Sequence, residues 1–170
     1  VLGIIILNFV IYNPQGDSIS STYAHYYRTN MKDVNVLREK DLGEKVFAII
    51  YDRKDLAYCI FYKIKIREQY HYIVRNIYKL PWKSNTNRLL DADEYKEMLE
   101  TENEYAAKAE LQTIVVDFYV RNGVVSSDKE PCEGYSLNPY ISNIEVEEGN
   151  LSVEPVQIGE DLLYRWTLGN

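Results

Sequence analysis

Hydrophobic and polar positions along this chain change their spacing several times, and each change marks an element. The run VLGIIILNFVIY at the N-terminus is almost unbroken apolar sequence, with no charge before Asp17. As an α-helix it spans about 18 Å against the roughly 30 Å of a bilayer core. As a strand it runs about 40 Å, longer than most strands of globular domains. Tyr12 at its end and the polar, helix-ending Asn13-Pro14-Gln15-Gly16 favour a truncated membrane anchor over residues 1–13. A strand buried on both faces is the alternative, and a cleaved signal peptide a lesser one. Asp17 or Ser18 then opens a helix to about Asn30, with Ile19, Tyr23, Tyr26 and Tyr27 at helical spacing.

A connector follows, with a short strand predicted over Val34–Arg38 and a turn at DLGE. KVFAIIYD, LAYCIFYKIKI and YHYIVRNIYKL then read as three strands, and the short separators RKD and REQ require antiparallel neighbours. In the middle strand Ile60, Tyr62, Ile64 and Ile66 alternate with Phe61, Lys63, Lys65 and Arg67, which predicts one dry and one basic side. After the linker LPWKSNTNRLL, Asp91 and Glu94 have capping-box spacing and open a helix over Ala92–Glu110. Its buried stripe is Tyr95, Met98, Leu99, Tyr105, Ala106 and Ala109, with the acids facing water. TIVVDFYVRNGVVSS reads as a hairpin about Asn122-Gly123. SDKEPCEGYSLNPY reads as a loop, ISNIEVEEGNLSVEPVQI as two strands about Glu148-Gly149-Asn150, and DLLYRWTL as a last strand.

This order, a helix then antiparallel strands, twice over, predicts an α+β fold, since parallel βαβ units would interleave helices regularly. A helix laid on a curved antiparallel sheet is also the plan of cystatin-like and NTF2-like architectures. The predicted division is an anchor at 1–13, a basic α+β subdomain at 14–90 and an acidic one at 91–170. Charge supports that division. Up to Leu90 there are 14 Lys and Arg against 8 Asp and Glu, and from Asp91 onward 5 against 18. Such polarity suits either attraction between oppositely charged surfaces or a basic side facing an anionic partner. No cluster of Lys and Arg is dense enough for duplex contacts, so nucleic acid is not an expected partner. Sixteen Tyr against four Phe favour half-buried sheet surfaces and interfaces.

Chemistry is sparse. Cys59 and Cys132 form no C-x-x-C, and either a long-range disulfide or two buried thiols fits them. His25 and His71 lack any metal-binding context, and Glu145, Glu147 and Glu148 lack the spacing of a calcium loop. No catalytic, cofactor or metal motif occurs. Two candidate sites remain. Lys63, Lys65, Arg67 and Tyr62 form a basic ribbon suited to a protein or to an anionic envelope component. His25, Tyr26 and Asp52 would line a small-ligand or enzymatic pocket if the first helix crosses the first hairpin.

The apolar leader, the Tyr-bearing helix, VLREKDLGEKVFAIIYDRKDLAYCIFYK and the terminal ISNIEVEEGN…YRWTLGN together resemble uncharacterised small membrane-anchored or secreted proteins of Gram-positive bacteria. The resemblance covers most of the chain as a pattern of elements. It implies an anchored, extracytoplasmic location and brings no catalytic residues with it. The leading expectation is therefore a membrane-tethered extracytoplasmic domain that binds a protein or an envelope component. An NTF2-like pocket protein is the second, and a cytosolic immunity- or inhibitor-like protein with Val1–Tyr12 as a true strand is the third.

Overall fold

Ser18 starts the first described helix by accepting a hydrogen bond from the Ser21 backbone N–H, while the Ser21 hydroxyl accepts in return from the Ser18 N–H. This reciprocal capping satisfies two donors that a helix start leaves without partners. A computed structural model describes residues 15–53, 55–80, 93 and 104–169. The chain is α+β, and its fold divides into two compact units, Val1–Arg53 with Ala57–Tyr78, and Lys54–Leu56 with Lys79–Asn170. The anchor reading of residues 1–13 lies outside the described residues. No described helix is long and apolar enough to cross a membrane.

In the first unit, α1 (Ile19–Tyr27) ends at Arg28, which turns into the left-handed region at φ 52. A five-stranded sheet follows in the order β1-β5-β4-β3-β2, with β1 Gln15–Gly16, β2 Asn35–Asp41, β3 Lys45–Tyr51, β4 Leu56–Ile66 and β5 Gln69–Leu80. β2 to β5 form an up-and-down meander, and β1 closes the far edge by pairing Gln15 with Ile73 and Gly16 with Tyr72. Gly16 is required there. A Cβ on it would sit 2.8 Å from the Thr22 backbone nitrogen and collide with the Ser21 hydroxyl, so the strand passes directly under the start of α1.

Alternate residues of β3 and β4, namely Val46, Ala48, Ile50, Ala57, Cys59 and Phe61, meet Ile19 and Tyr23 of α1 in one apolar cluster. The intervening Phe47, Ile49, Tyr58 and Ile60 are as fully buried. Burial on both faces explains why KVFAIIY reads as a continuous apolar run and shows no alternation.

β4 and β5 are 11 and 12 residues long, whereas β2 and β3 are 7 each. From Phe61, the last fully buried residue of β4, to Ile66 is five residues, so the β4–β5 hairpin projects about 17 Å past the core. This corrects the expected dry side of the strand: only Ile60 is fully buried, and Ile64 and Ile66 are exposed. The turn is Arg67-Glu68, with φ 47 and 70. A two-residue hairpin turn of this kind needs two positive φ values, which Asn-Gly supplies with least strain. Replacing Arg67-Glu68 by Asn-Gly is expected to stabilise the first unit by about 1 kcal/mol, read as a higher urea midpoint with unchanged slope.

The second unit carries the larger departures from expectation. Residues 104–108 are helical, and the helix continues through a π-helical segment at Ala109–Val116 into α2 (Asp117–Asn122). TIVVDFYV is therefore helix, and Asn122-Gly123 is its end. The Gly123 N–H donates to the Val120 carbonyl and the Val124 N–H to the Tyr119 carbonyl, a Schellman cap around Gly123 at φ 73. An Asn-Gly pair serves either a hairpin or a helix C-terminus, because both need a residue in the left-handed region. What decides is burial of Ala107, Leu111, Ile114, Val115, Phe118 and Tyr119, a helical stripe that outweighs the strand preference of the β-branched residues.

Tyr105 is 80% exposed and lies off the stripe assigned to it, while Glu110, expected in water, is fully buried. Tyr95, Met98 and Leu99 of that stripe lie outside the described residues.

The sheet of this unit has the order β6-β8-β7, all antiparallel: β6 Cys132–Ser136, β7 Asn150–Ile158 and β8 Asp161–Gly169. Thus the expected loop SDKEPCEGYSLNPY contains a strand, and the expected strand at ISNIEVEEG is a 3-10 turn, Pro139–Asn143, followed by irregular chain. The Asn138 side chain caps that turn by accepting from the Tyr140 N–H at 2.9 Å, Pro139 occupies its first turn, and Ile141 and Ile144 are buried three apart. Trp166 on β8 is fully buried, with its ring stacked on Tyr119 at 6.4 Å. Arg165 ties the three strands together by donating to Glu133 on β6 at 2.8 Å and Glu154 on β7 at 3.0 Å. Cys59 and Cys132 are both buried, and no disulfide joins them.

Candidate functional site

Helical geometry decides the fate of the first candidate site. Successive residues of α1 are rotated by about 100°, so His25 points nearly opposite to Tyr23. Tyr23, fully buried, donates its hydroxyl to Asp52 Oδ2 at 3.0 Å, while His25 is exposed and Tyr26 is exposed and packs edge-on to Tyr27. His25, Tyr26 and Asp52 are therefore not brought together. The space between α1 and the sheet is filled by Tyr23, Tyr27, Cys59 and Phe61. Burial, and then the Asp52 carboxylate, push the Tyr23 phenol far above its ordinary range. A phenol held protonated in this way offers neither a base nor a nucleophile, and its contribution is to the core. Sequence reasoning placed Tyr23 on the buried face and Asp52 at the end of β3, but not their contact.

The structure does gather the second candidate set, at the outer end of the β4–β5 hairpin, with partners that alter its character. Lys63 donates to Asp41 on β2, and its ammonium lies 5.1 Å from the centre of the Tyr70 ring. Its hydrogen bond holds the Asp41 carboxyl below the usual carboxylate range, helped by the Gly43 N–H, and the same contact raises the Lys63 ammonium. Lys65 pairs with Glu68 across the turn at 2.7 Å. Tyr62 accepts a hydrogen bond from Arg75, whose guanidinium sits 4.8 Å over the Tyr62 ring. Arg67 stands in the turn itself. Two of the cations are thus matched by carboxylates of the same unit, and the ribbon is less basic than its sequence implies.

Apolar exposure is the more distinctive property. Ile64, Ile66 and Tyr70 are 38%, 46% and 47% exposed. They are three of the seven large apolar or aromatic side chains exposed among the described residues, and the other four are scattered over α1, Met31, Tyr105 and Leu162. Scattered single residues need no explanation, whereas these three share one projecting hairpin, Ile64 and Ile66 on one face and Tyr70 with Lys63 on the other. Sequence reasoning missed Ile64, Ile66 and Tyr70. The signal available was length, since two strands of 11 and 12 residues beside strands of 7 must overhang.

The second unit holds a cleft of about 390 Å³ with Val116 and Leu168 in its lining. Asp128, Glu130, Glu147 and Glu148 contribute four carboxylates to it, against one ammonium from Lys129. Glu130 Oε2 is engaged by the Ser126 N–H and hydroxyl, each at 2.6 Å. Among the described residues no group of three or more His, Cys, Asp or Glu is placed to hold a metal ion.

No protein-family model, curated protein or solved structure matches this chain.

Proposed function

We propose that this protein is a binding module, tethered on the extracytoplasmic side of a membrane by its apolar leader, and that the outer end of the β4–β5 hairpin is its contact surface for a partner protein. One observation carries the reading: Ile64 and Ile66 on one face, and Tyr70 with Lys63 and Lys65 on the other, stand on a hairpin that extends beyond its own core, with both isoleucines and the tyrosine exposed to water. Tyr, Ile and Arg on a polar-rimmed projection form a surface of the kind that protein interfaces use. Insertion into lipid fits less well. The apex is Arg67-Glu68, and a charged turn entering first meets the cost of placing ions in hydrocarbon. An anionic polymer fits less well too, because it offers no apolar surface to cover the exposed Ile64 and Ile66.

The test is a photo-crosslinking residue in place of Tyr70 in the full chain, with the same residue at exposed Leu162 of the second unit as the control. The expected result is one discrete adduct from position 70, lost in an Ile64→Ser/Ile66→Ser background that keeps its circular dichroism. Failure of position 70 to give an adduct, or the same diffuse pattern from both positions, would overturn the proposal.

A further inference from the structure

We infer that the partner received by the hairpin end is a second copy of this chain, which presents the acidic cleft of its second unit. The inference rests on the reading of the hairpin as a protein-binding surface and names its partner.

What the hairpin end requires can be derived from its residues. Ile64 and Ile66 alternate with Lys65 along β4, so apolar and cationic side chains leave opposite sides of one narrow projection. A complementary receptor has apolar walls to take an isoleucine and carboxylates near its mouth to meet Lys65 and Arg67. The cleft of the second unit has that composition. Val116 and Leu168 supply apolar surface, and Asp128, Glu147 and Glu148 are exposed around it.

Charge favours the same pairing on the scale of the whole chain. The first unit carries 10 Lys and Arg against 7 Asp and Glu and the second 9 against 19, so contact between the first unit of one copy and the second unit of another is attractive, whereas contact between two second units is repulsive. Such a contact joins two different surfaces. It therefore leaves a hairpin at one end and a cleft at the other, and propagates into a ladder of species unless it closes into a ring.

The experiment is sedimentation velocity on the full chain over a range of concentrations. We expect association that grows with concentration and fades at about 1 M salt, where screening acts within roughly 3 Å. Lys65→Glu/Arg67→Glu, or Glu147→Lys/Glu148→Lys, is expected to weaken it by about tenfold or more. An equimolar mixture of the two variants restores it, because each reversed surface then meets an opposite one. That restoration also shows both variants to be folded. The neutral pair Lys65→Gln/Arg67→Gln gives an intermediate loss.

A chain that stays monomeric at every concentration, or a ladder indifferent to these substitutions, would overturn the inference. The adduct at position 70 separates it from the wider reading. An adduct of twice the chain mass supports both, one of any other mass removes the second copy and leaves a protein partner, and no adduct removes both.

Discussion

Trp166→Ala is expected to cost the second unit about 3–5 kcal/mol, the range for deleting a fully buried tryptophan. The indole has no exposure to water, stacks on Tyr119 of α2, and belongs to the strand that pairs with β6 on one side and β7 on the other. Its removal strips packing from helix and sheet together. Against a net stability of roughly 5–15 kcal/mol for a typical domain, a loss of that size leaves the unit close to unfolding. Trp166→Phe is expected to cost much less, about 1–2 kcal/mol, for two reasons. It keeps an aromatic ring against Tyr119, and it forfeits no hydrogen bond to the described residues, among which the buried Nε1–H has no acceptor. Hydrogen exchange of the β8 amides is the appropriate measurement, because two compact units need not unfold together and a single melting curve would mix them. An alanine variant that protects β8 as well as the parent does would show that the sheet is held by something other than this stack.

The first unit was largely legible in the sequence and the second was not, and the reason lies in what each stretch had to disclose. Ser18 capping, the Ile19, Tyr23 and Tyr27 positions of the helix and the three long β-rich runs are local patterns whose partners follow directly along the chain, although Tyr26, read on the same face, is exposed. Asn122-Gly123 is different. The dipeptide reports a left-handed residue but not whether strand or helix precedes it, and Ile114, Val115 and Val116 have strand-forming side chains. Only the repeat through Ala107, Leu111, Val115 and Tyr119 distinguishes the two, and its value depends on a sheet elsewhere for that stripe to bury against. Ile141 and Ile144 posed the same difficulty on a smaller scale, because a spacing of three in a short apolar stretch next to Pro139 is a turn of helix.

For the sites, alternation in β4 correctly put Lys63 and Lys65 on one side. It was silent about Asp41, which comes from a strand two positions away in the sheet, and about how far the core extends along the strand. The pocket expectation failed by one step of helix rotation. Asp52 does meet α1, and the residue it meets is Tyr23, two positions before His25.

That contact carries the second large effect. Tyr23→Ala is expected to destabilise the first unit by about 3–5 kcal/mol, the cost of emptying a buried aromatic site. Tyr23→Phe isolates the hydroxyl. It keeps the ring against Ile50, Cys59 and Phe61 but takes a donor from the Asp52 carboxylate, at an expected cost of about 1.5–3 kcal/mol. Asp52→Ala costs more than Tyr23→Phe, because Asp52 has further interactions besides this one. The double variant is then less destabilised than the sum of the two, the coupling expected of groups in direct contact.

The pH dependence has a definite sign. The folded state holds the Tyr23 proton far above the value at which the unfolded chain releases it. The resulting stability is fully present below about pH 10, where an unburied tyrosine begins to ionise, and is lost progressively as the pH rises beyond that. Urea unfolding monitored through β3 amide exchange at neutral pH and again above pH 10 is expected to show a fall in the parent that Tyr23→Phe reduces. An equal fall in both would mean that Tyr23 releases its proton in the folded unit, and would place Asp52 in contact with water.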